Sequence, residues 1–334
     1  MTDQLQTAKG LFTSFHTDLH AGGVECAPAI VAKYLSEDCL WHGPHPLNRL
    51  DGPRAFFDEY WEPLNRAMHN LRRKDDILFA GQWENRTWIS TTGHYLARFD
   101  SDWLGIPATG ADVRIRYGEF ACIERGRLTE FRVILDLPAL CAAAGHPLLP
   151  TSRGAEIDVP PPADGSGVMD TPQDSALSAS SLAIVEGMIN GLNSYSEAAS
   201  PEAGQEGMGQ ERFFHPDLVW YGPCGIGTTY GLDGFVEHHQ KPFLHAFPDR
   251  KGGNHRAKLA EGHFIGSTGW PSVQATHAGD YLGVPATGRK IGMRVMDWWR
   301  AEDGMLVENW VLIDLVDLFL QLGIDLLAEK LPSQ

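Results

Sequence analysis

"WLGIPATG", Trp103 to Gly110, returns almost unchanged as "YLGVPATG", Tyr281 to Gly288, 178 residues further on. Landmarks on either side return at nearly the same spacing. "WHGP" (Trp41 to Pro44) answers to "WYGP" (Trp220 to Pro223), and Phe56 and Pro63 answer to Phe235 and Pro242, all 179 residues apart. "FRVILDLPAL" (Phe131 to Leu140) answers to "NWVLIDLVDL" (Asn309 to Leu318) at 178. A period this long marks a duplicated domain, since solenoid units run about 20 to 50 residues. The 334 residues thus divide into a domain over 1–149, a linker over 150–178 and a second domain over 179–334.

Composition narrows the class. With 43% hydrophobic residues, ten Trp and fifteen Phe, each half can close its own core. A net charge of −16 argues against nucleic acid as a partner, because phosphate recognition needs clustered Lys and Arg. Five cysteines, without CxxC or Cys/His ligand spacing, give neither a disulfide framework nor a zinc site. The start, "MTDQLQTAKGLF", does not read as a signal peptide, and Asp314, Asp317 and Asp325 interrupt the most apolar stretch near the end. The expectation is a cytoplasmic protein without a membrane partner. No P-loop, dinucleotide fingerprint, nucleophile elbow or metal motif occurs, so the chain is expected to use no cofactor and no metal.

Leu5, Ala8, Phe12, Phe15 and Leu19 recur at steps of three and four, which predicts a helix to about His20; Leu182, Val185, Ile189 and Leu192 repeat the stripe. Gly52–Pro53 and Gly231 open a further helix in each half. Beyond these the period shifts toward two. Residues 88–99, 113–124 and 128–136 read as strands, with "ERGR" turning the last pair, and the second half gives the same series with "EDG" at the turn. Helices first and strands after is an α+β arrangement. Pro150 to Ser175, rich in Pro, Gly, Ser and Asp, reads as a linker long enough to wrap across a domain.

These residues resemble a family. The order helix, helix, "W.GP", helix, then strands with "G.PATG", closes on Asp303, Gly304, Val307, Glu308, Trp310, Asp314, Leu318, Gln321, Leu322 and Gly323. It resembles the SnoaL-like polyketide cyclases and predicted ester cyclases of the nuclear transport factor two-like superfamily. The resemblance implies two tandem cone-shaped, curved antiparallel sheets with N-terminal helices, a cystatin-like α+β barrel, each around an apolar pocket. It also implies dimerisation, which a tandem chain would make internally as a pseudo-dimer, with a homo-oligomer beyond that left open.

The resemblance implies a mechanism as well. The family's aspartate, directly after the "EHW"-type triplet of the last long strand, moves a proton on an activated carbon; its position here is Val133 in the first half and Val311 in the second, and valine carries no proton. On the neighbouring strand, Glu119 and Asp297 stand at the same place in both halves. Each is a candidate perturbed carboxylate, the plain alternative being a salt bridge to Arg116 or Arg294. Asp136 and Asp314 read as helix caps. His277 and His94 are candidate assistants, with His94 shifted by a few residues from the equivalent place. Ligand contacts are expected from Trp41, His42, His45, Tyr60, Trp220, Tyr221, Val133, Val311 and Trp299; paired histidines, His42 with His45 or His238 with His239, match no common metal motif. Three readings follow: an enzyme doing cofactor-independent acid/base chemistry (a cyclase, isomerase or hydrolase) on a small apolar carbonyl-bearing or aromatic compound, a small-molecule-binding protein that lost the catalytic aspartate, or a scaffold.

Overall fold

The computed structural model describes residues 2–198 and 210–332, and the chain resolves into two compact units. Unit 1 comprises Met1–Leu148, Ala163–Pro172 and Asp325–Gln334; unit 2 comprises Leu149–Pro162 and Gln173–Ile324.

Unit 1 opens with α1 (Thr2–Tyr34), which bends at Gly23, where the backbone leaves helical geometry (φ 61, ψ −171). Its stripe of Ala8, Phe12, Phe15 and Leu19 is buried, as the period of 3.6 requires. Then come β1 (Leu35–His42), β2 (Arg49–Asp51), α2 (Gly52–Ala55), a wider π-type turn (Phe56–Trp61) and α3 (Glu62–Ala67). Four long strands follow: β3 (Met68–Trp83), β4 (Arg86–Phe99), β5 (Asp112–Glu124) and β6 (Arg127–Leu135); α4 (Leu137–Ala143) ends the run. The sheet order is β2-β1-β6-β5-β4-β3.

Unit 2 repeats the plan: α5 (Ser175–Ala198), β7 (Phe214–Tyr221), β8 (Thr228–Tyr230), α6 (Gly231–Phe235), α7 (Lys241–Ala246), β9 (Lys251–Gly252), β10 (His255–Glu261), β11 (Phe264–Thr276), β12 (Lys290–Glu302), β13 (Met305–Ile313) and α8 (Leu315–Leu322). Its order is β10-β11-β12-β13-β7-β8, with β9 on β11. A last helix, α9 (Leu326–Lys330), falls in the closing segment of unit 1. On α5 Val185 is buried and Leu182 and Ile189 are half-buried; the Leu192 side chain lies outside the described residues.

Each unit is therefore α+β, with two departures from the expected all-antiparallel barrel. β1 pairs with β6, and β7 with β13, in parallel, so both sheets are mixed. Nearly a whole domain separates each such pair, which supplies the long crossover that parallel pairing needs. Among the described residues the strands at the two ends of each order do not pair, so neither sheet closes into a barrel.

The repeated motifs have local causes. Leu104 and Gly105 (φ 52 and 78), like Leu282 and Gly283 (φ 46 and 83), are the paired positive-φ residues of a type I′ turn, clamped by bridges Trp103–Ile106 and Tyr281–Val284. In "W.GP" the indole folds back over the glycine: a Cβ on Gly43 would stand 2.0 Å from the Trp41 ring, and one on Gly222 2.2 Å from the Trp220 ring. The linker makes strand-like bridges in both units, Ala155 to Thr228 in unit 2 and Val168 to Leu78 in unit 1. No helix among the described residues is long and apolar enough to cross a membrane.

Candidate active site

Directly opposed residues of an antiparallel pair share a face of the sheet. In unit 2 one such row runs Ser267, Asp297, Val311 across β11, β12 and β13; in unit 1 it runs Thr91, Glu119, Val133 across β4, β5 and β6. The carboxylate and the valine noted in the sequence are thus cross-strand neighbours in both halves.

In unit 2 this row is the floor of a cavity of about 210 Å³. Alternation brings Val295, Asp297 and Trp299 of β12, and Asn309, Val311 and Ile313 of β13, to the same wall. The helical side supplies Phe235, His239 and Phe243, and Trp220 comes from β7. Asp297 is half-buried, with the cavity as its open side, and no ion pair joins it among the described residues. Burial raises its pKa from 3.8 to about 7, against an opposing hydrogen bond from Asn309. The Asn309 amide is anchored in turn, donating from Nδ2 to the Trp298 carbonyl at 3.0 Å. Arg294, the cation weighed as a partner for Asp297, instead binds Asp314 at 3.0 Å and Asp317 at 3.2 Å.

Glu119 has a different environment. Arg73 Nη1 meets its Oε2 at 2.5 Å and His16 Nε2 its Oε1 at 3.2 Å, with Glu119 only 3% exposed. The Arg73 guanidinium lies between the Phe12 and Tyr117 rings, 5.3 and 4.2 Å from their centroids, and also pairs with Asp75 at 2.9 Å. Burial works to raise the Glu119 pKa, but the charge of Arg73 and the contact with His16 overcome it and hold the carboxyl at about 2. The cation comes from β3, not from Arg116.

The histidines separate from the acids. His277 is fully buried beyond the end of β11, where its Nδ1 meets Thr287 Oγ1 at 3.0 Å. Its backbone pairs with Arg289, eight residues along the chain from Asp297, or roughly 26 Å at strand rise. The structure does not bring the two together. In unit 1 the residue making the same backbone bonds, to Gly110 and Ala111, is Phe99. The equivalent of His277 is therefore Phe99, not His94, and a two-residue bulge between Gly269 and Val273 of β11 explains the shifted register. His94 stands opposite Arg116, on the face of β4 turned away from Glu119, and is 2.7 Å from Asp76.

Among the expected ligand contacts, Trp220, Trp299 and Val311 line the cavity. Tyr221 does not: as the next residue along β7 it points the other way, stacks on Trp310 at 5.2 Å and donates to Glu308 at 3.2 Å. In unit 1 Trp41 stacks on Tyr60 at 4.5 Å, His42 sits opposite Arg49 and Arg132, and His45 contacts Asn48 at 3.3 Å. Val133 is 3% exposed beside Glu119. Sequence reasoning missed Asn309 and the cavity role of His239. For Asn309 a signal existed, since Phe131 holds the equivalent position and an amide replacing a core phenyl ring needs a reason.

The repeated loop also finds a place here. Tyr281, Leu282 and Gly283 line a cleft of about 270 Å³ together with Pro150 and Arg153, and His239 borders both this cleft and the cavity.

The sequence matches the SnoaL-like polyketide cyclase family over residues 20–143 and 205–322. The chain belongs to this family, in two tandem copies. Solved structures similar to it include AclR from Streptomyces galilaeus (25% identity, 43% of this chain and 96% of that one, TM-score 0.34). IdmH from Streptomyces antibioticus (23%, 43% and 99%, TM-score 0.33) and TsrD from Streptomyces laurentii (22%, 43% and 96%, TM-score 0.34) are two others. A search among curated proteins finds no match.

Proposed function

We propose that unit 2 carries out cofactor-independent proton transfer on a small, largely apolar carbonyl compound, with Asp297 as the acid/base group. The observation that carries this reading is a lone carboxylate, with a pKa raised to about 7, on the floor of an apolar cavity. A group titrating near neutrality combines an adequate ionised fraction with adequate basicity. The ionised carboxylate takes a proton from the carbon beside the substrate carbonyl and the C–H electron pair moves into the enolate; in an isomerisation the proton returns to carbon, and in a ring closure the enolate carbon bonds to a second carbonyl carbon, whose π electrons move to oxygen, and that oxygen takes the proton. The valine opposite leaves Asp297 on the adjacent strand as the proton carrier. Glu119, held at about 2, is too weak a base for this work and acts as a fixed charge in unit 1.

The cavity limits the substrate. A dry pocket of about 150 Å³ takes one benzene ring, and drug-sized sites run about 300–1,000 Å³, so about 210 Å³ suits a compact molecule of one or two fused rings. The test is deuterium uptake from D2O at the α-carbon of 1-indanone, followed by NMR. Wild-type protein should accelerate exchange and Asp297→Asn should lose roughly 10²–10⁴-fold of that acceleration. Ligand binding with no exchange in the wild type would favour a binding protein instead.

A further inference from the structure

We propose that His239 is the hydrogen-bonding partner of the substrate's carbonyl oxygen, so that the cavity selects a compact bicyclic ketone held between a proton carrier on its sheet side and an imidazole on its helical side. This rests on the reading of Asp297 above. His239 belongs to the turn Val236–Gln240 between α6 and α7, and lines the same small cavity as Asp297.

Three observations carry the assignment. The ring is fixed: it stacks on Trp220 with centroids 4.1 Å apart and planes within 18°, and Phe243 lies beyond it at 5.8 Å and 28°. Its polar atoms are available: no group among the described residues hydrogen-bonds either ring nitrogen, and burial alone lowers its pKa, to about 3. The imidazole is therefore neutral at all working pH values and can donate one N–H without competing with Asp297 for charge. Finally, unit 1 places Tyr60 at this position, 4.5 Å over Trp41 in the same stacked arrangement. The Tyr60 hydroxyl is taken up by a hydrogen bond with Tyr95, whereas the ring nitrogens of His239 have no partner among the described residues, so unit 2 leaves the polar edge of its stacked ring open to the cavity. When the α C–H bond breaks, its electron pair forms the enolate double bond, the proton goes to the Asp297 carboxylate, and charge gathers on the oxygen that His239 N–H faces. A donor fixed before that charge develops stabilises it most.

The test compares 1-indanone with indane, its carbonyl-free counterpart, by tryptophan-fluorescence titration. Wild-type protein should prefer 1-indanone by about tenfold, the value of one hydrogen bond in a dry site. His239→Phe, which keeps the stack and removes the donor, should abolish the preference, and His239→Gln should restore part of it. Should the phenylalanine variant not fold, the ¹⁵N shifts of the His239 ring in wild-type protein decide: 1-indanone should move them and indane should not. An undiminished preference in His239→Phe, or ring shifts indifferent to the carbonyl, overturns this assignment. If exchange still depends on Asp297 in that case, the acid/base reading stands without it. If the wild type binds neither compound and exchanges no protons, both fall.

Discussion

Replacing Asp297 with asparagine should make unit 2 more stable above neutral pH, and the size of the gain follows from its surroundings. Its carboxyl titrates at about 7 in the folded chain against 3.8 ordinarily. Between those values the folded state holds a proton that the unfolded state has released, so stability falls as pH rises from about 4 to about 7, and the full cost is present above that. About three units at 1.36 kcal/mol each come to about 4 kcal/mol. Asparagine has nearly the same shape and never ionises. Urea unfolding at half-unit pH steps, followed by tryptophan fluorescence, should show wild type and Asp297→Asn close together near pH 4. They should diverge steadily up to pH 7, with the variant ahead by up to about 4 kcal/mol at pH 8. The transition to follow is that of unit 2, which holds Trp220, Trp270, Trp298, Trp299 and Trp310. Parallel curves for the two proteins across this range would refute the claim that burial raises this carboxyl, and a ¹³C titration of Asp297 measures the same pKa directly.

The other expectations concern the two networks around the acids. Arg73→Met in unit 1 strands Glu119 without its cation and should cost about 3–5 kcal/mol of stability, while adding Glu119→Gln should recover much of it; additive losses in chemical denaturation would contradict a coupled pair. Asn309→Leu removes the hydrogen bond that holds the Asp297 pKa down, so the rising limb of proton exchange should move to higher pH, and an unmoved limb would show that Asn309 does not act on the acid. His277→Phe copies the residue that unit 1 uses at this place and should leave exchange at wild-type rates; a large loss at unchanged stability would return His277 to the chemistry.

How much of this is legible in the sequence depends on period. The duplication and the Gly-containing turns are local or repeated patterns and appear in the structure, whereas the place of each acid on the strand beside its valine follows from the family resemblance and is matched by the cross-strand register. The strand Met68–Trp83 does not announce itself, because Arg72, Arg73, Lys74, Asp75 and Asp76 break the alternation by which strands are recognised. Those charges are tolerated since they pair across strands: Arg73 with Glu119, Asp76 with His94. The register of His94 misleads because a two-residue bulge in β11 changes the repeat spacing within a strand, which an alignment by landmarks alone cannot locate. His239 is obscured because the sequence presents it only as one of an adjacent pair with His238, a pair that matches no common metal motif; on a helical turn adjacent residues point apart, and of the two only His239 lines the cavity.

The contrast between the halves is what makes unit 2, and not unit 1, the proposed site of proton transfer. Both carry an acid on the same strand opposite a valine, fully buried in unit 1 and half-buried in unit 2. In unit 1 the charge is compensated by an arginine that is itself wedged between two rings, and Phe131 packs against Phe15 and Phe56 where unit 2 has Asn309. Such an acid stays ionised at every ordinary pH and gives up nothing to a substrate. In unit 2 no cation pairs with the acid among the described residues, an amide replaces the phenyl ring, and a cavity opens over a carboxyl that is half-protonated near neutrality. Desolvation left uncompensated costs stability, and that same cost is what makes the group basic enough to take a proton from carbon.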